Sequence, residues 1–183
     1  MIEEDWATKV LSFWFDELRP QDWFDANEVI DETIRARFGH VHSALAEAAP
    51  SMTFDDPQSA LAAIIVFDQF SRNMFRGQPR AFATDSLALF IARDALDKGF
   101  DAAVSEQWRN FFYMPFVHSE TTADQERSVA LFSALGGENL KYAIEHRDII
   151  ARFGRFPHRN RVLGRKTTES EQAFLSQSKS FGQ

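Results

Sequence analysis

The chain contains no cysteine among its 183 residues. This absence excludes disulfide bonds, thiolate metal ligands and cysteine nucleophiles. The longest apolar run, from Ala60 to Phe67, has 8 residues, whereas a membrane-spanning helix needs roughly 20. The acidic start, Met1 to Asp5, also lacks the basic segment of a signal peptide. We therefore expect a cytoplasmic protein.

Charge is distributed unevenly along the chain. The formal net charge is −7, but the segment from His146 to Lys166 holds seven arginines and lysines and a single acid, Asp148. That segment is therefore +6, and the rest of the chain is −13. The overall negative charge argues against non-specific nucleic-acid binding, whereas the basic segment allows an anionic ligand.

The hydrophobic pattern has the period of helices throughout. Apolar residues recur three and four positions apart, and no segment alternates with the period of a strand. The 19 phenylalanines predict a core rich in aromatic rings. We predict one all-α domain over residues 1–183, with seven or eight helices near 5–18, 27–48, 57–75, 85–98, 105–114, 122–135, 139–153 and 168–179.

Local signals set several helix ends. Asp56 followed by Pro57 is a favoured helix start, and Gly154 is a favoured helix stop. Pro115 is predicted to end the fifth helix, because a proline interrupts the hydrogen-bond ladder. The segments Thr122–Gln125 and Thr168–Glu171 have the capping-box pattern that opens a helix.

The first candidate site lies in the third helix. Asp68, Arg72 and Arg76 continue one apolar helical face, so a carboxylate and two guanidiniums extend its buried side. Asp68 and Arg72 have the favourable i, i+4 spacing of an intrahelical ion pair. One interpretation is such a pair at the edge of the core; the other is a pocket wall that offers arginines to an anion.

The second candidate follows Pro115. His118 is predicted to lie in a loop or at the start of the next helix, and Glu120, Asp124 and Arg127 then share one helical face. A histidine close to two carboxylates suits divalent metal binding or acid–base chemistry. Alternatively, the acids complement a helix dipole and His118 is a structural hydrogen-bonding residue.

The other histidines favour structural interpretations. His146 lies within the apolar face of the seventh helix, where a buried histidine is usually a hydrogen-bonded core residue. Asp148 and Arg152 are predicted to form a surface pair. His40 and His42 are predicted to be surface or edge residues of the second helix.

The loop after the seventh helix is the most basic candidate. Arg155, His158 and Arg159 alternate there with Phe156 and Pro157. Such a stiff loop suits the binding of a carboxylate or phosphate. It suits equally well a loop that folds back and pairs its arginines with the acids of the first two candidate sites.

Several well-known catalytic motifs are absent. The chain has no Glu-x-x-His or His-Glu-x-x-His pair, no P-loop, no Gly-x-Gly-x-x-Gly and no Gly-x-Ser-x-Gly. We therefore expect no cofactor and no resident metal.

Several segments have a distinctive sequence and order. They are residues 10–15, 67–73 with 76–77, 79–85, 115–120, 124–129, 146–150 and 152–160. Together they resemble the bacterial family called domain of unknown function 924. The resemblance extends over most of the chain and implies a compact all-α fold similar to tetratricopeptide-repeat superhelices. It implies no activity.

These candidates predict one polar pocket and leave three functions open. The leading hypothesis is a domain that binds a small anionic molecule or an acidic peptide end, with no nucleic-acid or membrane partner. The predicted ligand-binding residues are Asp68, Arg72, Arg76, His118, Glu120, Asp124, Arg127, His146, Arg155, His158 and Arg159. The alternatives are a hydrolase, either metal-dependent or using a histidine with carboxylates, and a structural protein-interaction domain with a buried ion-pair network. The ligand's identity and the oligomeric state stay open.

Overall fold

The part of the chain that the structure describes folds into helices joined by turns and loops. This computed structural model describes residues 3–23, 25–48 and 52–177, and no strand occurs among them. Eight helices pack together within these ranges, as predicted from the hydrophobic period. They are α1 (Trp6–Ser12), α2 (Glu28–Ala48), α3 (Pro57–Ile64), α4 (Asp85–Asp97), α5 (Glu106–Val117), α6 (Thr122–Leu135), α7 (Asn139–Phe153) and α8 (Glu169–Gln177).

α3 is the centre of the hydrophobic core. Every residue from Ala60 to Phe70 is buried, because α1, α2, α4 and α5 all contact this helix or its continuation. The Phe70 ring lies 5.0 Å from Phe38 and 5.6 Å from Trp14. Aromatic pairs of this kind each contribute about 0.5–1.5 kcal/mol beyond area burial. The predicted aromatic-rich core is confirmed.

α3 changes its helical geometry where it reaches the polar residues. It continues through the π-helical segment Ile65–Phe70 into a last α-turn, Ser71–Met74. A π-helical segment is uncommon and often marks a functional position. Here it carries the carboxylate of Asp68 inside an otherwise apolar stretch. Arg76 lies beyond the end of this helix, so the predicted face does not extend to it.

Strong local signals predicted the helix starts and stops well. The carboxylate of Asp56 accepts hydrogen bonds from the amides of Gln58 and Ser59, at 3.0 and 2.8 Å. Gly154 ends α7 with a φ of 69°, in the left-handed region that favours glycine. Both predictions are confirmed, because each depends on chemistry within one turn.

The capping box at α8 is also formed. The Thr168 amide donates to Glu171 Oε2 at 2.7 Å, and the Glu171 amide lies 3.3 Å from Thr168 Oγ1. The predicted extension of this helix to Lys179 lies outside the described residues. So do Phe24 in the crossing after the first helix and residues 49–51 in the loop before the third.

Pro115 does not end α5, contrary to the prediction. The helix continues to Val117, and the His118 amide still donates to the Met114 carbonyl at 3.1 Å. A proline inside a helix costs about 3 kcal/mol or more. However, all seven residues from Phe111 to Val117 are buried, and each large apolar side chain contributes about 1.5–3 kcal/mol when buried. Core packing therefore outweighs the local cost.

The capping box predicted at Thr122–Gln125 is wrong. α6 begins at Thr122, and its N-cap residue, Thr121, makes no side-chain capping bond. The side chain of Gln125 instead points into the core. Its side-chain amide donates to the backbone carbonyls of Val117 and Ser119, each at 2.7 Å. The backbone oxygens at the end of α5 need these donors because they are buried.

A second, smaller core joins α7, the loop after it and α8. It consists of Ile149, Ile150 and Phe156, with Phe153 and Phe174 packed against them. The Phe156 amide joins this core to the junction of α5 and α6 by donating a hydrogen bond to Glu120. No helix in the described ranges is long and apolar enough to cross a membrane. The single-domain span and the tetratricopeptide-like superhelix stay predictions.

Candidate functional site

A cleft of about 580 Å³ lies between α4, the α5–α6 junction and the loop after α7. One wall is apolar and includes Phe82, Leu89 and Leu163. The charged or titratable side chains that line it are Asp85, Arg93, His118, Glu120, Asp124 and Arg159. Four of these, His118, Glu120, Asp124 and Arg159, belong to the set predicted from the sequence.

Asp68 and His118 form a hydrogen-bonded pair at the base of the cleft. The side chain of Asp68 is 1% exposed, and its Oδ1 lies 2.7 Å from Nδ1 of His118. Burial alone would raise the pKa of Asp68, but His118 and Arg72 hold it below its usual value. Burial and Arg72 lower the pKa of His118. The ring is therefore neutral at pH 7, with Nδ1–H donating to Asp68.

A chain of ion pairs continues from Asp68 into the cleft wall. Arg72 lies 3.3 Å from Asp68, so the predicted i, i+4 pair is formed. Its guanidinium also donates both Nη groups to Asp85, at 3.0 and 3.1 Å. Arg159 reaches the same carboxylate from the loop after α7, at 3.3 Å. Asp85 is thus shared by two arginines.

Arg159 is a buried cation with an incomplete set of partners. Its guanidinium lies between two rings, 4.7 Å from the centroid of Phe82 and 4.6 Å from that of Phe156. Nη2 donates to the His118 carbonyl at 3.0 Å. Nε has no hydrogen-bond partner among the described residues. Burial lowers the pKa of Arg159 to about 10, against the opposing effect of Asp85.

The opposite side of the cleft is acidic. Asp124 accepts hydrogen bonds from Ser119 Oγ at 2.7 Å and Thr121 Oγ1 at 2.6 Å. It also pairs with Arg93, whose side chain is 56% exposed. Glu120 precedes α6, so the predicted face that it shares with Asp124 is wrong. Asp124 is therefore held both by local donors at the start of the helix and by Arg93 of α4.

Glu120 fastens the loop after α7. It pairs with Arg165 at 2.7 Å and accepts a hydrogen bond from the Phe156 amide, also at 2.7 Å. The predicted folding back of the basic loop therefore occurs, and Glu120 is one of the predicted acids, whereas Asp85 was not predicted. Arg165 meets Glu120, whereas Arg159 meets Asp85.

Three predicted arginines point away from the cleft. Arg76 pairs with Asp31 of α2 at 2.7 Å, because it lies in the turn after α3. Arg155 pairs with Glu171 of α8 at 2.6 Å, because Gly154 turns the chain outward before it. Arg127 is exposed on α6.

One further predicted pair is absent. Asp148 meets its neighbour Arg147 at 2.7 Å. Arg152 instead lies over the Phe153 ring, 4.7 Å from its centroid. The predicted surface pair of Asp148 and Arg152 is therefore wrong, since a nearer cation and a nearer aromatic face compete for these side chains.

The remaining histidines are structural in their surroundings. His146 is buried, and its Nδ1 donates to the Tyr142 carbonyl at 3.0 Å. Burial lowers the pKa of His146 and of His158 to about 3 in each case. His42 is buried too, 2.9 Å from Ser71 Oγ, so its prediction as a surface or edge residue is wrong. His40 is exposed, as predicted.

Sequence reasoning missed Asp85, Arg93 and Arg165. Asp85 has the position of an ordinary acid in the first turn of a helix, and the two arginines were not among the predicted ligand-binding residues. The pattern around Asp85 gave one usable signal, because residues 79–85 belong to the segments that resemble the family. Within the described ranges, no group of three or more histidine and carboxylate side chains is arranged to hold a metal ion.

A family model described as "Bacterial protein of unknown function (DUF924)" matches residues 10–179. The chain belongs to this family. The resemblance drawn from the sequence segments is thus confirmed. No curated protein matches the chain.

The DUF924 chain is also similar to a solved structure, the protein of unknown function ATU0120 from Agrobacterium tumefaciens. The two are 44% identical, and the match covers 94% of this chain and 97% of that one, with a TM-score of 0.89. At this similarity the two proteins share their helical fold. Any function of the DUF924 chain has to be argued from its cleft.

Proposed function

We propose that this protein binds a small molecule that carries an anionic group, with the cleft between α4, the α5–α6 junction and the loop after α7 as its binding site. The single observation that carries the proposal is the state of Arg159. This side chain lines the cleft and is 8% exposed, and its Nε has no hydrogen-bond partner among the residues that the structure describes. A carboxylate or phosphate beside it would supply the missing charge compensation.

The electrostatics of the cluster support an anion at this place. Asp85 is already held by both Nη groups of Arg72, so its single contact to Arg159 at 3.3 Å is a secondary one. Burial lowers the pKa of Arg159 to about 10, which means that its surroundings disfavour the charged form. An anion bound in the cleft would favour the charged form again and would gain a charge-assisted hydrogen bond.

The rest of the lining suggests the other parts of the ligand. The carboxylates of Asp85 and Glu120 are 20% and 28% exposed, so they can accept hydrogen bonds from hydroxyl or ammonium groups. Phe82 and Leu89 offer an apolar surface for a short carbon skeleton. A cavity of about 580 Å³ lies within the range of roughly 300–1,000 Å³ that is usual for small-molecule sites.

Two other functions fit the geometry less well. A purely structural network would pair its arginines and acids without a cavity between them, whereas this network borders an open cleft. An acidic peptide end has the right charge at its carboxylate, but most of the peptide would lie outside a cleft of this size. A short peptide acid is therefore included among the test ligands.

Thermal shift and titration calorimetry with phosphate, succinate, glutamate and a short acidic peptide test the proposal. A ligand at 100 times its Kd should raise the free energy of unfolding by about 2.7 kcal/mol. Arg159→Lys should weaken binding at least tenfold, because lysine keeps the charge but loses the planar fork. Arg127→Lys, on the exposed face of α6, is the matched control and should bind normally. Failure of all four ligands to bind would contradict the proposal.

A further inference from the structure

We propose that His118 is a general base in this cleft and that the protein hydrolyses an ester whose acid part carries a second, anionic group. The inference rests on the proposed function, because Arg159 would hold that anionic group. Asp68 is then a positioning residue that acts through His118. The geometry of the Asp68–His118 pair and its place beside the cleft carry this argument.

The pair has the arrangement that general-base catalysis requires. Nδ1 of His118 is fixed by Asp68 Oδ1 at 2.7 Å. Nε2 forms no hydrogen bond with any described residue, and His118 lines the cleft. A carboxylate on Nδ1 selects the tautomer in which Nε2 is free to accept a proton, and it stabilises the imidazolium that results.

Charge compensation alone does not account for the pair. Asp68 already has Arg72 at 3.3 Å, and it accepts a hydrogen bond from the side-chain amide of Gln69. What Asp68 adds to His118 is a fixed ring orientation. The backbone also supports a functional role for Asp68. This residue lies in the π-helical segment that continues α3, and π-helical turns are frequent at functional sites.

The reaction step uses only water and the bound ester. Nε2 of His118 takes a proton from water while the water oxygen forms a bond to the ester carbonyl carbon. The resulting tetrahedral oxyanion collapses, and the bond between that carbon and the alcohol oxygen breaks. The departing oxygen takes the proton from Nε2, so the products are a carboxylic acid and an alcohol, and His118 returns to its neutral form.

Two chromogenic esters provide the test: the p-nitrophenyl monoester of succinate, which is anionic, and p-nitrophenyl acetate, which is neutral. We expect the full chain to hydrolyse the succinate ester with a kcat/KM at least tenfold higher than that of the acetate ester. His118→Gln should lower kcat/KM for the succinate ester by about 10²–10⁴-fold, the usual contribution of a general base. His40→Gln, at an exposed position of α2, is the matched control and should leave it unchanged.

The pH profile separates a positioning role of Asp68 from a structural one. Activity should rise with pH as His118 loses its proton, and the titratable and charged groups around this residue are Asp68, Arg72, Asp85, His146, His158 and Arg159. Because the Asp68 carboxylate favours the imidazolium, Asp68→Asn should move the acid limb to lower pH and lower kcat. A merely structural role would lower stability and leave the limb in place.

Calorimetry with succinate distinguishes failure of this inference from failure of the proposed function. If succinate binds to both the native chain and His118→Gln, but neither hydrolyses the esters faster than buffer, the base assignment is wrong and the binding proposal stands. If none of phosphate, succinate, glutamate and the short acidic peptide binds, both fail. Should His118→Gln melt early, the native chain still decides, since an activity that does not fall as the pH is lowered below 6.5, over the range in which the chain stays folded, contradicts a histidine base.

Discussion

Replacing Asp85 by asparagine would test the ion-pair chain that supports the cleft. Asp85 is the carboxylate shared by Arg72 and Arg159, with contacts of 3.0, 3.1 and 3.3 Å. The asparagine keeps the size of the side chain but removes its charge, so both guanidiniums lose a counter-ion at once. The side chains of Arg72 and Arg159 are only 11% and 8% exposed, so water cannot replace that counter-ion fully.

The expected loss follows from the burial of these partners. Removing one partner of a buried ion pair costs about 3–5 kcal/mol. Since Asp85 itself is 20% exposed at the cleft, we expect a loss near the lower bound, about 3 kcal/mol. For a chain of this size, 1 kcal/mol corresponds to roughly 2–4 °C in Tm. Asp85→Asn should therefore melt about 6–12 °C below the native protein.

Denaturant unfolding and thermal melting would both measure this change. Asp148→Asn is the control, because Asp148 is 63% exposed and, among the described residues, forms an ion pair only with its neighbour Arg147; its change should stay within about 0.5 kcal/mol. A second arm compares Arg159→Gln in the native and the Asp85→Asn backgrounds. Coupled residues should differ from additivity by about 0.5–3 kcal/mol. An Asp85→Asn protein that melts like the native one, with additive double variants, would refute the reasoning.

Three further predictions concern single residues away from the cleft. Gly154→Ala should cost about 1–2 kcal/mol, since its φ of +69° is disfavoured by a side chain even though a Cβ there would meet no atom within 4 Å. Gly39→Ala, inside α2 and equally free of neighbours, should instead stabilise the protein by about 0.5–1 kcal/mol, which chemical denaturation would measure. Arg155 holds the pKa of Glu171 at about 2, below its usual 4.5. A depressed folded-state pKa contributes stability that is present above pH 4.5 and lost as pH falls towards 2. Melting curves across this range should show that loss, and Glu171→Gln should remove this part of the pH dependence; an unchanged dependence would contradict it.

The sequence was informative where one turn of chain contains the whole cause. Asp56 caps α3 with two amides that lie two and three residues away, and Gly154 ends α7 through its own backbone freedom. Thr168 and Glu171 close their capping box in the same way. Such interactions need no knowledge of distant residues, so pattern reasoning finds them.

Local rules failed where burial competes with them. Pro115 should stop a helix, but the apolar residues around it are buried on every side and keep the helix intact. Gln125 should cap its own helix, but the buried carbonyls at the end of α5 take its donors. In both cases a tertiary gain exceeds a local preference of a few kcal/mol.

Part of the candidate site could be predicted from the sequence. His118, Glu120, Asp124 and Arg159 do line a common cleft. Asp68 and Arg72 lie directly behind it, as the predicted pair implied. The pattern could not find Asp85, because nothing in its own helix distinguishes it from a first-turn acid.

The amino-acid sequence by itself determined the helical fold, the membership of the DUF924 family and the crowding of arginine, histidine and acid around one region. These properties follow from the hydrophobic period and from motifs that lie close together in the chain. Only the tertiary structure decided which charges meet. Arg159 reaches Asp85 across 74 residues and Arg165 reaches Glu120 across 45, while Arg155 turns away to α8. A long arginine side chain can reach several acids, and the packing of the helices decides which acid lies within its reach.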